Sequence, residues 1–160
     1  MKRLTATALL LLLCSCGPSK EKHPEEPALF RTPSATELFD LQSKCSAMGE
    51  KVLEGNIIGN ALTQEQVSHY NPKDNRCYVK LTVSTADLTK PRENYIEDVY
   101  LNDGQSTELL ADVFYKGEKK SGMVNDSSLL KLMQEKKQSN TDADAISDLI
   151  DSFVSTDRRP

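Results

Sequence analysis

Apolar residues recur at three- and four-residue spacing near the start of the chain, at Leu38, Leu41, Cys45 and Met48. This spacing predicts an amphipathic helix over residues 35–48. Ser34 and Glu37 form a capping box at its start, and Gly49 is typical of a helix end. We interpret residues 50–62, where glycines and asparagines interrupt a short apolar pair, as a turn or a short strand.

From residue 64 onward the apolar period changes to two, which is typical of half-buried strands. We predict strands over residues 67–70, 76–85, 95–101 and 107–115. The first two are joined by the turn-forming residues 71–75, and the other two are joined by a turn containing Asp103 and Gly104. In the second strand the residues predicted to face the helix are Cys77, Val79, Leu81 and Val83.

Further helices are predicted towards the C-terminus. Asp126 is suited to cap a helix that carries Leu129 and Met133. A second apolar stripe consists of Ile146, Leu149, Ile150 and Phe153. Residues 117–122 are rich in lysine and glycine and predict a basic loop. The pattern therefore indicates an α+β fold, with an N-terminal helix packed on a small antiparallel sheet of about four strands and a C-terminal helical tail.

Strand alternation also predicts an apolar surface on the sheet face away from the helix. With Leu109, Ala111 and Val113 assigned to the helix side, the candidate interface residues on the opposite face are Tyr78, Ile96, Tyr100, Leu110 and Phe114. Such a surface is too apolar to be left in water. Two explanations stay open: the C-terminal apolar stripe covers it, or it binds an envelope protein or a second copy of the chain.

The composition and net charge of the chain exclude or disfavour several classes of protein. The chain has 160 residues, of which 38% are hydrophobic and 28% charged, and this excludes a fully disordered or fibrous protein. The net charge of −4 argues against nucleic-acid binding. Lys2 and Arg3 precede an apolar run over residues 4–13, which is the order of a secretory signal peptide. The run is shorter than the roughly 20 residues that a transmembrane helix needs.

The apolar run ends in Leu13-Cys14-Ser15-Cys16, which resembles the lipobox of bacterial lipoproteins. The resemblance implies lipidation of Cys16, cleavage after Ser15 and attachment of the mature chain to a membrane through the lipid. Gly17 stands where an aspartate would signal retention in the inner membrane. The resemblance therefore favours the periplasmic side of the outer membrane if the source is Gram-negative. Cleavage removes Lys2 and Arg3 but no acidic residue, which moves the net charge from −4 to −6.

These features divide the chain into four parts. Residues 1–15 are the signal peptide, and residues 16–33 are a lipidated N-terminus followed by a proline-rich tether. Residues 34–133 are expected to form a single α+β domain. Residues 134–160 are expected to form a polar linker and an amphipathic helical tail.

Loss of Cys14 and acylation of Cys16 leave two thiols, Cys45 and Cys77, in an oxidising compartment. Both lie on faces predicted to meet, so we predict a disulfide bond that stabilises the domain by about 3 to 4 kcal/mol. Two buried free thiols are the alternative. We expect no metal and no cofactor, because two cysteines without nearby histidines do not complete a tetrahedral zinc site.

Ser68, His69 and Asp74 supply the residue types of a hydrolase triad. Adjacent strand residues face opposite ways, however, and no glycine pattern surrounds Ser68. Residues 69–79 resemble a stretch of uncharacterised bacterial proteins, which implies no activity, and Arg76 is expected to pair with Asp74 or Glu97. We therefore expect a protein-binding or structural module without catalysis. A small periplasmic hydrolase or other enzyme using His69 is the alternative hypothesis.

Overall fold

The computed structural model describes residues 33–86 and 95–155 as a five-stranded antiparallel sheet with three helices. The predicted signal peptide, the lipobox-like segment with Cys16 and the predicted tether up to residue 32 lie outside the described residues. The elements are α1 (Ala35–Gly55), β1 (Ala61–Asn71), β2 (Arg76–Thr85), β3 (Ile96–Asp103), β4 (Leu109–Lys116), β5 (Lys119–Val124), α2 (Ser127–Glu135) and α3 (Ala143–Val154).

The strands follow one another across the sheet in the order β1-β2-β3-β4-β5, and every neighbouring pair is antiparallel. Helix α1 packs on one face, over β1 and β2, while α3 packs on the other face across the sheet. We call these the α1 face and the α3 face. The fold is the predicted α+β class, with five strands where about four were expected.

Helix α1 begins at the predicted capping box. The Glu37 backbone N–H donates to Ser34 Oγ at 3.3 Å, and the Ser34 N–H donates to Glu37 Oε2 at 2.8 Å. The predicted end at Gly49 is wrong, because the helix continues to Gly55. Gly49 serves instead as a contact point with β1, where an added Cβ would lie 3.0 Å from Ser68 Cβ. Glycine here lets helix and strand approach closely.

The predicted second strand is confirmed with its bounds, Arg76–Thr85, whereas the first strand is longer than residues 67–70. Residues 117–122 were predicted as a loop, but most of them belong to β5. Lys119 and Lys120 hide the alternation of apolar and polar residues in β5. Lysine is typical of edge strands because its charge discourages pairing with other chains. Gly117, at φ 57°, makes the tight turn into this strand.

The C-terminal apolar stripe packs on the α3 face. Ile146 and Ile150 are fully buried and Leu149 is 3% exposed, in one core with Leu129 and Met133 of α2. The predicted cap of α2 is confirmed, because Asp126 Oδ1 accepts from the backbone N–H groups of Ser128 and Leu129 at 2.8 and 3.0 Å. The segment expected to form an amphipathic helical tail therefore shares one hydrophobic core with α2 and the sheet.

Candidate functional site

A disulfide bond joins Cys45 of α1 to Cys77 of β2, as the sequence predicts, with a Cα–Cα distance of 5.4 Å. Both cysteines are 1% exposed. The turn between β3 and β4 covers the bond, because an added Cβ on Gly104 would lie 2.6 Å from Cys77 Sγ. The Cys77 backbone N–H also donates to Gln105 Oε1 at 3.0 Å. The disulfide thus fixes α1 to the sheet beside the β3–β4 turn.

The five residues expected to share one surface lie on two faces. Tyr78 and Leu110 are 3% and 1% exposed in the core under α3, and the Tyr78 ring lies 4.5 Å from the Phe153 ring. Strand pairing places the other three, Ile96, Tyr100 and Phe114, on the α1 face, and all three are partly exposed. The C-terminal stripe therefore covers only the first two.

The β2–β3 register, which pairs Tyr100 with Leu81 and Ile96 with Thr85, puts these two residues on the face opposite to Tyr78. A β-bulge in β4 separates Leu110 from Phe114. Leu101 pairs with Ala111 whereas the next residue, Asn102, pairs with Leu109, so Leu110 is an extra residue. The prediction that Ala111 and Val113 face the N-terminal helix was wrong, because both are buried under α3. Leu109, on the other side of the bulge, lies on the α1 face.

A groove lies on the α1 face, between the end of α1 and the sheet. Its volume is about 410 Å³. The α1–β1 connection forms one wall with Ile57 and Ile58, which are 72% and 36% exposed. The residues that line it are Asn56, Ile57, Ile58, Leu81, Tyr100, Asn102, Thr107 and Leu109. Half of these eight residues are aliphatic, and the others, Asn56, Tyr100, Asn102 and Thr107, supply polar groups.

Two carboxyl groups adjoin the groove floor next to Tyr100. Asp112 is the β4 partner of Tyr100, and Asp98 lies two residues from Tyr100 on the same strand and face. Burial raises the pKa of both carboxyl groups, and the charge of Asp112 raises that of Asp98 further. Burial and these two carboxylates also raise the pKa of the Tyr100 hydroxyl. Asp112 Oδ1 is buried and has no hydrogen-bond partner among the described residues.

The sequence pattern did not single out these carboxyl groups, since Asp98 lies within a predicted half-buried strand and is an ordinary residue for its polar face. Asp112 does carry a signal, because it interrupts the apolar run Leu109–Phe114 in a strand that is otherwise suited to a core. Recognising which face it occupies required the position of the bulge. Ile57 and Ile58 were noticed only as a short apolar pair.

The residues considered for catalysis are separated by the strand. Pairing with Val79 places Ser68 on the α1 face, and pairing with Tyr78 places His69 on the α3 face. Asp74 lies in the β1–β2 turn, where its Oδ2 accepts from the Tyr78 hydroxyl at 3.1 Å. Burial and Asp74 raise the pKa of Tyr78 to about 12. Asp74 is therefore a hydrogen-bond partner of the Tyr78 hydroxyl. Ser68 and His69 lie on opposite faces of the sheet.

Arg76 pairs with neither residue expected for it. Its Nε donates to Asp103 Oδ2, and its Nη1 donates to Asp126 Oδ2 at 3.3 Å. Asp103 is opposite Tyr78 on β3, and Asp126 caps α2, so the guanidinium joins three elements. Burial opposes ionisation, but the hydrogen bond and charge of Asp103 outweigh it and raise the pKa of Arg76.

The same network lowers the pKa values of its carboxyl groups. Burial opposes this for Asp103, but the hydrogen bonds from Arg76 and from the backbone N–H groups of Ser106 and Gln105 outweigh it. The cap hydrogen bonds from Leu129 and Ser128 and the contact with Arg76 likewise outweigh burial for Asp126. These ionised, partnered carboxylates contrast with Asp98 and Asp112.

The described residues lack two further features, a group of metal ligands and a membrane-spanning helix. Across residues 33–86 and 95–155, no three His, Cys, Asp or Glu side chains are grouped so as to hold a metal ion. No helix in that part of the chain has the length and apolar character to cross a membrane. Comparison with protein-family models, curated proteins and solved structures finds no match to this chain.

Proposed function

We propose that this chain is an exported, lipid-anchored protein of the cell envelope whose domain binds another protein without catalysis. The main support for the binding role is the groove on the α1 face, with its aliphatic residues and the carboxyl groups that adjoin it. Concave apolar surfaces with a few placed polar groups are typical of binding sites. The disulfide fixes α1 to the sheet, and Gln64 of β1 accepts from the Ile58 N–H and donates to the Asn56 carbonyl, which favours a preorganised groove.

The proposed location rests on the sequence and on the disulfide. The lipobox residues Leu13-Cys14-Ser15-Cys16 support lipidation of Cys16, and Gly17 supports release to the outer membrane in a Gram-negative source. A buried structural disulfide is common in exported proteins and rare in reducing compartments. The Cys45–Cys77 bond therefore supports an oxidising location.

Photo-crosslinking in intact cells tests the binding role. A photoreactive amino acid at Tyr100, on the groove floor, is expected to yield a discrete adduct with a second protein, identified by mass spectrometry. The same probe at Lys131, an exposed residue of α2, is the control and should give no such adduct. Absence of a protein adduct from probes on every exposed face would refute the binding role. A His69→Ala variant should capture the same protein as the unmodified chain.

Membrane fractionation of the same cells tests the anchor. Cys16→Ala should abolish labelling by a fatty-acid analogue and release the chain from the membrane fraction. Cys14→Ala is the matched control, because it changes a neighbouring cysteine that the resemblance does not assign to the lipid. Equal labelling of both variants would contradict the assignment of Cys16.

A further inference from the structure

We infer that the groove binds an extended protein segment that presents a lysine or arginine side chain next to an apolar one. This inference rests on the proposed function and specifies the chemistry of the partner. The basic side chain would reach Asp98 and Asp112, and the apolar side chain would pack against Ile57, Ile58 and Leu109. The backbone of the bound segment would form hydrogen bonds with polar groups of the groove floor.

The need for a positive charge follows from the surroundings of the two carboxyl groups. Within the described residues, no cation contributes to the pKa of either group: burial raises both pKa values, and the charge of Asp112 raises that of Asp98 further. Lys116 lies on the same face, two residues beyond Phe114, but its side chain is exposed and forms no ion pair with them. Among residues 33–86 and 95–155 this partly buried carboxylate pair has no counter-ion, which is unfavourable. A basic side chain from a partner would supply one.

The need for an extended backbone follows from Asn102. This residue lines the groove at 7% exposure, and its side-chain amide forms no hydrogen bond with any residue of the described ranges. A primary amide has both donors and an acceptor, which match the C=O and N–H groups of an extended peptide. The amide opens onto the groove, so a peptide backbone in the groove would replace water as its hydrogen-bond partner.

A second copy of this chain is a poorer occupant of the groove. A two-fold symmetric contact whose axis passes close to the groove would bring Asp98 and Asp112 of one copy towards the same residues of the other. Like charges at such a contact oppose association. A basic segment of a different protein has the complementary charge.

Fluorescence polarisation with short synthetic peptides tests the inference on the full chain in detergent. The probes are fluorescein-labelled peptides that alternate leucine with polar residues and carry a central lysine or arginine, and matched probes carry glutamate at that position. The basic probes are expected to bind about tenfold or more tightly than the glutamate probes. Asp112→Asn should remove most of this preference. Asp148→Asn, an exposed site on α3, should leave it unchanged.

The Asp112→Asn variant has a second readout that separates binding from folding. A carboxyl group whose pKa is raised in the folded state lowers stability once pH rises through that pKa, so removing its charge should raise the melting temperature at neutral pH. A lower melting temperature would show that Asp112 has a structural counter-ion. That result would overturn the inference, as would equal binding of basic and glutamate probes.

Failure of this inference can be distinguished from failure of the proposed function. A protein adduct in cells from a probe on another face, with no preference for basic peptides in the groove, would keep the binding role and reject the groove. Reversible dimerisation of the pure chain that is lost in Asp112→Asn would assign the groove to a second copy and also reject the basic partner.

Discussion

Arg76 illustrates how one side chain in this domain connects elements that are distant in sequence. It joins the start of β2 to Asp103 at the end of β3 and to Asp126 at the cap of α2. The Arg76 side chain is 25% exposed, and those of Asp103 and Asp126 are 8% and 15% exposed. Because the carboxylates are largely withdrawn from water, loss of the guanidinium would leave two charges without a partner.

Arg76→Ala should therefore lower the free energy of unfolding by about 2 to 3 kcal/mol at neutral pH. Arg76→Lys is the matched control, and it should recover only part of the loss because an ammonium group lacks the planar fork that reaches both carboxylates. Chemical denaturation of the three proteins measures these differences. An unchanged midpoint for Arg76→Ala would mean that water replaces the guanidinium at little cost.

The same residues give the domain a defined dependence on pH. The pKa values of Asp103 and Asp126 are lowered in the folded state. Their contribution to stability is therefore fully present above the unfolded value of about 3.9 and is lost as pH falls through the folded values. In Arg76→Ala this acid-dependent loss should be smaller, which melting temperatures measured between pH 2 and 7 would show.

At the scale of the elements, the packing of α1 on β1 depends on a glycine in the middle of the helix. Gly49→Ala improves helix propensity by about 1 kcal/mol, but the added methyl group would meet Ser68 and the Gln66 side chain. We expect the crowding to outweigh the propensity and to destabilise the domain by about 1 to 2 kcal/mol net. Gly55→Ala, where an added Cβ meets nothing within 4 Å, is the control and should be neutral or stabilising. Equal melting temperatures for the two variants would contradict this account of α1 packing.

The elements differ in how well local sequence patterns predict them. The capping box, the alternation in β2 and the Asp126 cap depend on neighbouring residues, so the sequence predicted α1, β2 and the start of α2. The end of α1 and the faces of β4 depend on tertiary contacts. Gly49 lies inside α1, where its small size lets the helix approach β1 closely. The bulge at Leu110 shifts the alternation of β4, and it is defined only by the pairing of β4 with β3. Tyr100 of the groove was among the predicted interface residues, whereas Asp98 and Asp112 were missed because their place beside it depends on strand pairing.

Considered as a whole, the molecule has two cores of unequal size on the two faces of its sheet. The core under α3 combines residues of α2, α3 and four strands, whereas the core under α1 consists of Cys45, Val52, Tyr70, Cys77 and Val79 with a few partly buried neighbours. Buried apolar area is the main source of stability, so α1 is held by the weaker layer. The disulfide attaches this layer, and with it the wall of the groove, to the sheet.

Removal of the disulfide should therefore destabilise α1 more than the rest of the domain. We expect the Cys45→Ala/Cys77→Ala double variant to lose about 3 to 4 kcal/mol of stability, because the bond closes a loop between residues 32 positions apart. In hydrogen exchange, protection should fall first in α1 while α3 and β4 keep theirs, since local stability follows local burial. Addition of a reductant should bring the unmodified chain to the behaviour of the double variant, which itself should not respond. Uniform loss of protection across both faces would show instead that the two cores unfold as one cooperative unit, and that the groove wall is as stable as the core under α3.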